Sequence, residues 1–429
     1  MFQSWVLSDL SSLFSRFCLL ETGGDFKDQF ARGPHRYQHL AAYGLIRESN
    51  GDQDSFGTIS DFLQAPDWYF GHLSYELKDQ LEPSLSSSNP AYSNFPLFSF
   101  FVPEIVIAVK EEKFLIWIHE KSEWQQQTEK LQTLLNQSSP KIDETPTNIP
   151  PTPVFLKMDA AEYVQTFEII RQHLLRGDIY ELNYCIPFIA ENCSINPYLT
   201  LAKIRTTSPA PFSCFYRHEH QWLISSSPER FLRKEQQRIF SQPIKGTIKR
   251  DADPQKDIAL KSALANSEKE KAENVMIVDL VRNDLSKIAI KGSVKPEELF
   301  GIYAFPKVFQ MISTISAEQK PGLKFQELIK ALFPMGSMTG APKISAMEII
   351  EQSEKFRRGL FSGSVGYISP DGDFDFNVVI RSIFYDDEAR RVLIPAGSAI
   401  TAKSNAEDEY QECLLKAEAM LDAVKNSAS

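Results

Sequence analysis

Residues 361–400 read FSGSVGYISPDGDFDFNVVIRSIFYDDEARRVLIPAGSAI. Three β-rich runs lie in this stretch, Phe361 to Ser369, Asp373 to Tyr385 and Arg391 to Ile400. They are joined at Pro370-Asp371-Gly372 and around Asp386-Asp387, and turn residues at such joints predict consecutive antiparallel strands. Within FDFNVVIRSIFYDD the alternation places Asp375, Asn377, Val379 and Arg381 on one face and Phe374, Phe376, Val378 and Ile380 on the other.

Working outward, the same grouping recurs. Phe98 to His119 (FSFFVPEIVIAVKEEKFLIWIH) holds two apolar β-rich runs around Lys110 to Lys113, the pattern of a hairpin. IYELNYCIPFIA, residues 179–190, reads as a strand, as do Gln221 to Ser226 and Gln237 to Ser241. Helices are expected from Asp159 to Arg176, closed by Gly177, from Ser262 to Arg282, from Ala406 to Lys425, and, more polar, from Glu120 to Asn136. Strands thus come in hairpin-linked groups between helices and not as βαβ units, which predicts an α+β fold. Two stretches read as loops, Glu82 to Pro96 and Gln137 to Pro153; the second holds five prolines in seventeen residues and is the better linker. It divides the chain into an N-terminal lobe, 1–150, and a second domain, 151–429.

The chain has 429 residues, with 46 Lys and Arg against 56 Asp and Glu, a net charge of −10. Hydrophobic residues at 42% and charged residues at 24% are ordinary globular usage and exclude a largely disordered or fibrous chain. The acidic balance argues against a nucleic-acid or anionic-membrane binder, which needs clustered Lys and Arg. Five scattered cysteines form no C-x-x-C pair, the pattern of reduced thiols in a cytoplasmic protein. Neither a signal peptide nor a membrane span is visible. All seven histidines lie in the first 220 residues, so chemistry in the second half must use Lys, Glu, Asp or a metal.

Four features there could carry chemistry. Glu270 and Glu273, and likewise Glu409 and Glu412, are spaced to share a helix face, with Lys416 one turn beyond Glu412. Four carboxylates converging from two helices would suit Mg²⁺; otherwise they are two solvated helix faces. Gly336-Ser337-Met338-Thr339-Gly340-Ala341-Pro342-Lys343 is a small-residue turn leading into a helix, either an anion site or an ordinary tight turn. Arg381, mid-strand, needs a carboxylate: a substrate's, or that of Asp375 or Glu388 in an internal salt bridge. Tyr367 either adds a hydroxyl or packs as a core aromatic. Lys245, in Pro243-Ile244-Lys245-Gly246-Thr247, is either a desolvated nucleophile with Glu229 as proton donor or a surface lysine. An unshifted lysine, with a pKa of ~10.4, is almost fully protonated at neutral pH, so the first option requires burial or a nearby cation.

Seven segments in order, GDIYELN, SPERF, PIKGT, EKEKAENVMIVDLVRNDL, FPMGSMTGAPKISAMEII, SGSVGYISPDGDFDFNVVIRS and AEDEYQECLLKA, resemble the chorismate-utilising enzymes. That family includes the large subunits of anthranilate and aminodeoxychorismate synthases, with isochorismate and salicylate synthases more distant. LLETGGD (Leu19 to Asp25) and FGHLSYELK (Phe70 to Lys78) resemble its first lobe. The resemblance implies an α/β sandwich of two large, mostly antiparallel sheets flanked by helices, with chorismate between them. It implies Glu273 and Glu412 as direct Mg²⁺ ligands, and Glu270 and Glu409 as holders of metal-bound water. Arg381, Tyr367 and the backbone around Gly397-Ser398-Ala399 would clamp the enolpyruvyl carboxylate. The Ser337 to Gly340 turn, with Thr339, would lie against the ring, and Lys416 would face substrate or metal-bound carboxylates.

Within the resemblance, Lys245 selects the reaction. Anthranilate synthases carry Ala there, and ammonia adds at C2; aminodeoxychorismate synthases carry Lys, implying attack of its amine at C2 with Glu229 as acid and ammonia then entering at C4. Glu181 stands where hydroxylating relatives have a Lys that activates water, so water addition is not implied. Gln310 replaces a His found in many members, and Ser345 an Arg. No Gly-x-Cys-x-Gly glutaminase turn occurs, so ammonia is expected from a separate glutamine amidotransferase subunit, and 4-aminobenzoate formation would need a separate lyase.

Overall fold

Every position of Glu181–Ala190 (ELNYCIPFIA) is buried, which explains why this strand reads as almost continuously apolar. In the computed structural model it lies deep in a sheet covered on both faces. The structure describes residues 9–21, 36–51, 53–110, 113–136, 155, 156, 158–425 and 427. The expected linker lies outside the described residues, as do the last four residues of LLETGGD.

The larger sheet has eleven strands. Gly340–Ala341 stands at one edge, followed by Glu181–Ala190, Arg391–Thr401, Ser382–Asp386, Gln221–Ser227, Phe212–His218, Arg16–Glu21, His39–Tyr43, Ile105–Lys110 and Lys113–Ile118; Phe155–Leu156 also pairs with Glu181–Ala190. The smaller has ten, from Ile244–Lys249 through Val308–Glu318, Arg238–Gln242, Arg230–Glu235, Phe374–Asn377, Ser364–Ile368, Tyr69–Leu73 and Phe98–Val102 to Arg47–Gly51, with Lys295–Ala304 also on Val308–Glu318. All the strand pairs are antiparallel, for example Arg16–Glu21 with Phe212–His218 and Ser364–Ile368 with Tyr69–Leu73. Strands from before and after the proline-rich stretch therefore share both sheets as two contiguous blocks, which meet at Arg16–Glu21 against Phe212–His218 in the larger and at Tyr69–Leu73 against Ser364–Ile368 in the smaller.

Side-chain alternation divides the core. Cys18, Leu20, Leu40 and Ala42 join the cluster that the larger sheet shares with the smaller one. Their neighbours Phe17, Leu19, Ala41 and Tyr43 face the opposite way, into a cluster completed by helices such as Ala160–Arg176 and Ala406–Lys425. The Ala160–Arg176 helix begins at Asp159, which caps Glu162 N, and ends at Gly177 in the left-handed conformation, as the sequence predicts.

Several expectations are corrected. The run Asp373 to Tyr385 is not one strand: Phe374–Asn377 belongs to the smaller sheet and Ser382–Asp386 to the larger, and the chain crosses between them at Val378–Arg381. Val378 N and Val379 N turn to Glu229 O and Gly363 O, at 3.0 and 2.9 Å, and Arg381 takes φ 51°, which ends the alternation. The helix expected from Ser262 to Arg282 is two, Pro254–Asn266 and Glu268–Ile288, because the Ser267 side chain accepts from Glu270 N and starts the second afresh. The Gly336–Lys343 turn does not run straight into a helix. Gly340–Ala341 first pairs with Glu181–Leu182, and the helix starts at Lys343. A Cβ on Gly340 would come within 2.2 Å of Glu181 O, so glycine permits this approach.

The hairpin within Phe98 to His119 is formed by Ile105–Lys110 and Lys113–Ile118, whereas Phe98–Val102 crosses to the other sheet. The helical segment expected from Glu120 is a short 3₁₀ turn, Glu123–Gln126, followed by Thr128–Asn136.

Candidate active site

Among the described residues the chain passes between the sheets six times, four of them through short strand-to-strand connections, and two of these lie side by side. Ser227 leaves the larger sheet and Arg230 enters the smaller, with Pro228 and Glu229 between; Val378–Arg381 returns the chain. The two crossings are stitched by Val378 N to Glu229 O at 3.0 Å and Ser226 N to Arg381 O at 3.0 Å, and Ser227 Oγ donates to Val378 O at 2.6 Å. Backbone pairing thus brings Glu229 and Arg381, far apart in sequence, to one place.

Lys245 stands on the edge strand Ile244–Lys249. The register of that strand against Val308–Glu318 shifts between Ile244 and Thr247, and Gly246 takes φ +93°. A Cβ on Gly246 would also press on Glu270 Oε2 at 3.0 Å, so this glycine lets the Glu268–Ile288 helix close over the strand. Lys245 Nζ donates to Glu181 Oε1 at 2.5 Å, linking the edge strand of the smaller sheet to the second strand of the larger, with the side chains 11% and 2% exposed. Glu181 Oε2 is buried and accepts no hydrogen bond among the described residues. Gln310, on the neighbouring strand, lies opposite Thr247.

Burial works to lower the pKa of Lys245, but the carboxylates of Glu181, Glu273 and Glu229 outweigh it and raise it above the ordinary lysine value, which favours the ammonium. Glu229 moves the other way in charge: burial pushes its carboxyl up to about 7, against the Ser337 hydroxyl, Lys245 and Lys416.

The helices Glu268–Ile288 and Ala406–Lys425 contribute the acids. Burial pushes Glu273 up to about 7, with Lys245 opposing and Glu270 adding to the rise. Glu270 is raised by burial and by Glu412, and Glu409 by burial and Glu412 against the hydroxyls of Ser404 and Ser398. Glu412 is lowered: burial opposes, but Lys416 at 2.6 Å prevails. Lys416 Nζ also donates to Gly397 O at 2.9 Å, and Ser398 Oγ lies 3.1 Å from Tyr163 OH.

The acids from the two helices therefore feel one another. Their chemistry fits a hard divalent cation, which would restore the charge that burial and mutual repulsion suppress. They are not closed around a point: among the described residues no three His, Cys, Asp or Glu side chains stand close enough to hold a metal ion.

The remaining expected residues divide. Half-buried Arg381 has no side-chain hydrogen bond or ion pair among the described residues, and Glu412 is the charge that acts on it. Asp375, one of the partners the alternation offered, is held by Arg230 instead. Thr339 is fully buried and its hydroxyl turns back to Met335 O and Gly336 O. The N–H groups of Met338 and Thr339 bond to Met335 O and Gly336 O, so they are not free for an anion. Tyr367 is not brought to Arg381. Its ring packs with Tyr37, Trp68 and Phe70 at 6.3, 6.0 and 6.1 Å, and the segment that backs the Arg381 crossing is Phe361–Gly363, through Ser362 N to Val379 O at 2.9 Å.

Two positioning residues escape sequence reasoning. Arg358 donates to Met338 O at 2.6 Å and Asn183 O at 2.9 Å, and Glu354 accepts from both Arg358 and Cys185 N. This buried pair ties the Gly336–Thr339 turn to the strand that carries Glu181. Its i, i+4 spacing in EKFRR was visible, but such pairs are common on exposed helices.

The fold and site define a class: a two-sheet α/β enzyme whose lysine and carboxylates meet where the sheets converge under two helices. The chain belongs to the chorismate-utilising enzymes, of the aminodeoxychorismate and anthranilate synthase component I type, and matches the chorismate binding enzyme family over residues 26–422. It is 40% identical over 264 residues to aminodeoxychorismate synthase component 1 of Escherichia coli (strain K12), covering 62% of this chain and 58% of that protein. It thus spans less than two thirds of that relative. An anthranilate synthase component I-like protein of Synechocystis is 31% identical over 378 residues, 88% of this chain and 76% of that one. The crystal structure of anthranilate synthase component I from Streptococcus pneumoniae superposes with a TM-score of 0.79 at 25% identity, covering 93% of this chain and 95% of that chain. Among the described residues no helix is long and apolar enough to cross a membrane.

Proposed function

We propose that this enzyme converts chorismate and ammonia to 4-amino-4-deoxychorismate, with Mg²⁺ as cofactor and a glutamine amidotransferase subunit as the ammonia source. The observation that carries the reading is Lys245, largely covered and set among Glu181, Glu229 and Glu273 at the junction of the sheets. Its proton has an acceptor in contact, Glu181 Oε1. The freed amine attacks C2 of the ring while both ring double bonds shift along the ring and the C4–O bond breaks. Glu229, whose carboxyl is held at about 7, supplies the proton that lets the hydroxyl leave as water. Ammonia then bonds to C4 as the C2–N bond breaks and its electron pair returns to Lys245. The similarity to the E. coli aminodeoxychorismate synthase component supports this para route.

Glu273 and Glu412 would hold the cation, with Glu270 and Glu409 beside them, and the ion would anchor the ring carboxylate. Arg381 would take the other carboxylate, with the backbone of Gly397 and Ser398 nearby.

The second reading is anthranilate formation, favoured by the Synechocystis and Streptococcus similarities. The deciding experiment incubates the protein with chorismate, Mg²⁺ and ammonium, with and without added 4-amino-4-deoxychorismate lyase. The para route yields 4-aminobenzoate only with the lyase, and fluorescent anthranilate without it would overturn the proposal. Chelation by EDTA is expected to abolish turnover, with recovery on adding Mg²⁺.

A further inference from the structure

Glu181 is the most buried of the acids around Lys245 and uses one oxygen only. Oε1 accepts from Lys245 Nζ at 2.5 Å, while Oε2 has no donor among the described residues and is shut away from bulk water. A buried acceptor left without a donor costs about 1–3 kcal/mol. Such an atom is retained at a site when its donor arrives with a ligand.

The carboxylate is rigidly aimed. Its strand is flanked on one side by Gly340–Ala341, pairing Ala341 with Glu181, and on the other by Arg391–Thr401, pairing Thr401 with Glu181. Its two oxygens belong to one small group, so a donor on Oε2 lies within a few ångströms of Lys245 Nζ. On the reading proposed above, two nitrogens must reach one ring edge, Lys245 at C2 and ammonia at C4. Ammonia is all donor toward a carboxylate and small enough to share it with a lysine. A carboxylate accepts through both oxygens in its charged form, and through the carbonyl oxygen once the other is protonated. The contact therefore survives transfer of the Lys245 proton to Oε1.

We infer that Glu181 Oε2 is the binding point of the incoming ammonia, which it holds by an N–H hydrogen bond beside Lys245. This rests on the reading that the site aminates chorismate, and would also serve amination at C2.

The test is steady-state kinetics of Glu181→Gln with ammonium chloride as nitrogen source and Mg²⁺ present. The amide keeps the size and offers its oxygen to Lys245, which leaves an NH₂ group facing the ammonia position. The expected result is a KM for ammonium raised tenfold or more with the KM for chorismate within twofold. A Glu181→Asp enzyme, carrying the carboxylate one methylene further back, should show a smaller rise, and it decides the matter if the Gln variant does not fold. An ammonium KM within twofold of wild type in the folded variant overturns the ammonia site alone. Absence of any aminated product from the wild-type enzyme overturns the functional reading and this site with it.

Discussion

Asp375 gives both carboxylate oxygens to Arg230, at 2.9 Å each, and both side chains are 1% exposed. It is therefore not available to Arg381, whose guanidinium stands at the sheet crossing with no bonded partner among the described residues. Hydrogen bonds to charged groups are worth about 1.5–3 kcal/mol. Arg381→Ala is expected to lower kcat/KM for chorismate by roughly tenfold to a hundredfold, chiefly through KM. Thermal melting should stay close to wild type, since no ion pair is broken. An unchanged KM would remove Arg381 from substrate binding.

Lys245→Ala separates the two amination routes. Removing the amine removes the attack at C2 on which the para product depends, while the carboxylates remain. Loss of 4-amino-4-deoxychorismate by at least a hundredfold is expected, with slow anthranilate formation persisting. Chromatographic product analysis distinguishes the two, and undiminished para product at limiting ammonium would exclude Lys245 as the nucleophile.

How much of this could be read beforehand differs by residue. The hairpin joints and the Asp159 and Gly177 caps are local, and the sequence shows them. Alternation through FDFNVVIRSIFYDD misplaces Arg381, because a strand that passes from one sheet to another keeps its composition while its backbone bonds change partners at Val378–Arg381. The Glu181–Lys245 contact joins residues 64 apart in sequence and on different sheets, so no spacing encodes it. Tyr367 shows the same limit. Its hydroxyl was legible as a donor, but which face its strand turns toward Trp68 depends on pairing with Tyr69–Leu73.

The Arg358–Glu354 pair is a stability element beneath the site. Both side chains are at most 2% exposed, joined by bonds of 2.9 and 2.6 Å. Removing one partner of such a pair leaves the other charge buried and costs about 3–5 kcal/mol. Arg358→Met should show that loss in urea unfolding, and the double substitution Arg358→Met with Glu354→Leu should recover part of it. Equal stability of Arg358→Met and wild type would contradict the buried-pair assignment.

Glu229 sets the sign of the pH profile. In the productive form Glu229 carries its proton and the proton of Lys245 has passed to Glu181 Oε1, with which it is in contact. That form has the same proton count as the enzyme in which Glu229 is protonated and Lys245 is charged. Above about 7, the value to which burial raises Glu229, the site holds one proton too few. The profile of kcat/KM for chorismate at saturating Mg²⁺ should therefore fall through about pH 7. Glu229→Gln abolishes the fall near 7 and, by removing the acid, lowers the rate by roughly 10²–10⁴-fold. A wild-type profile that climbs through pH 7, or one that keeps its fall in the Gln variant, would assign that proton to another group.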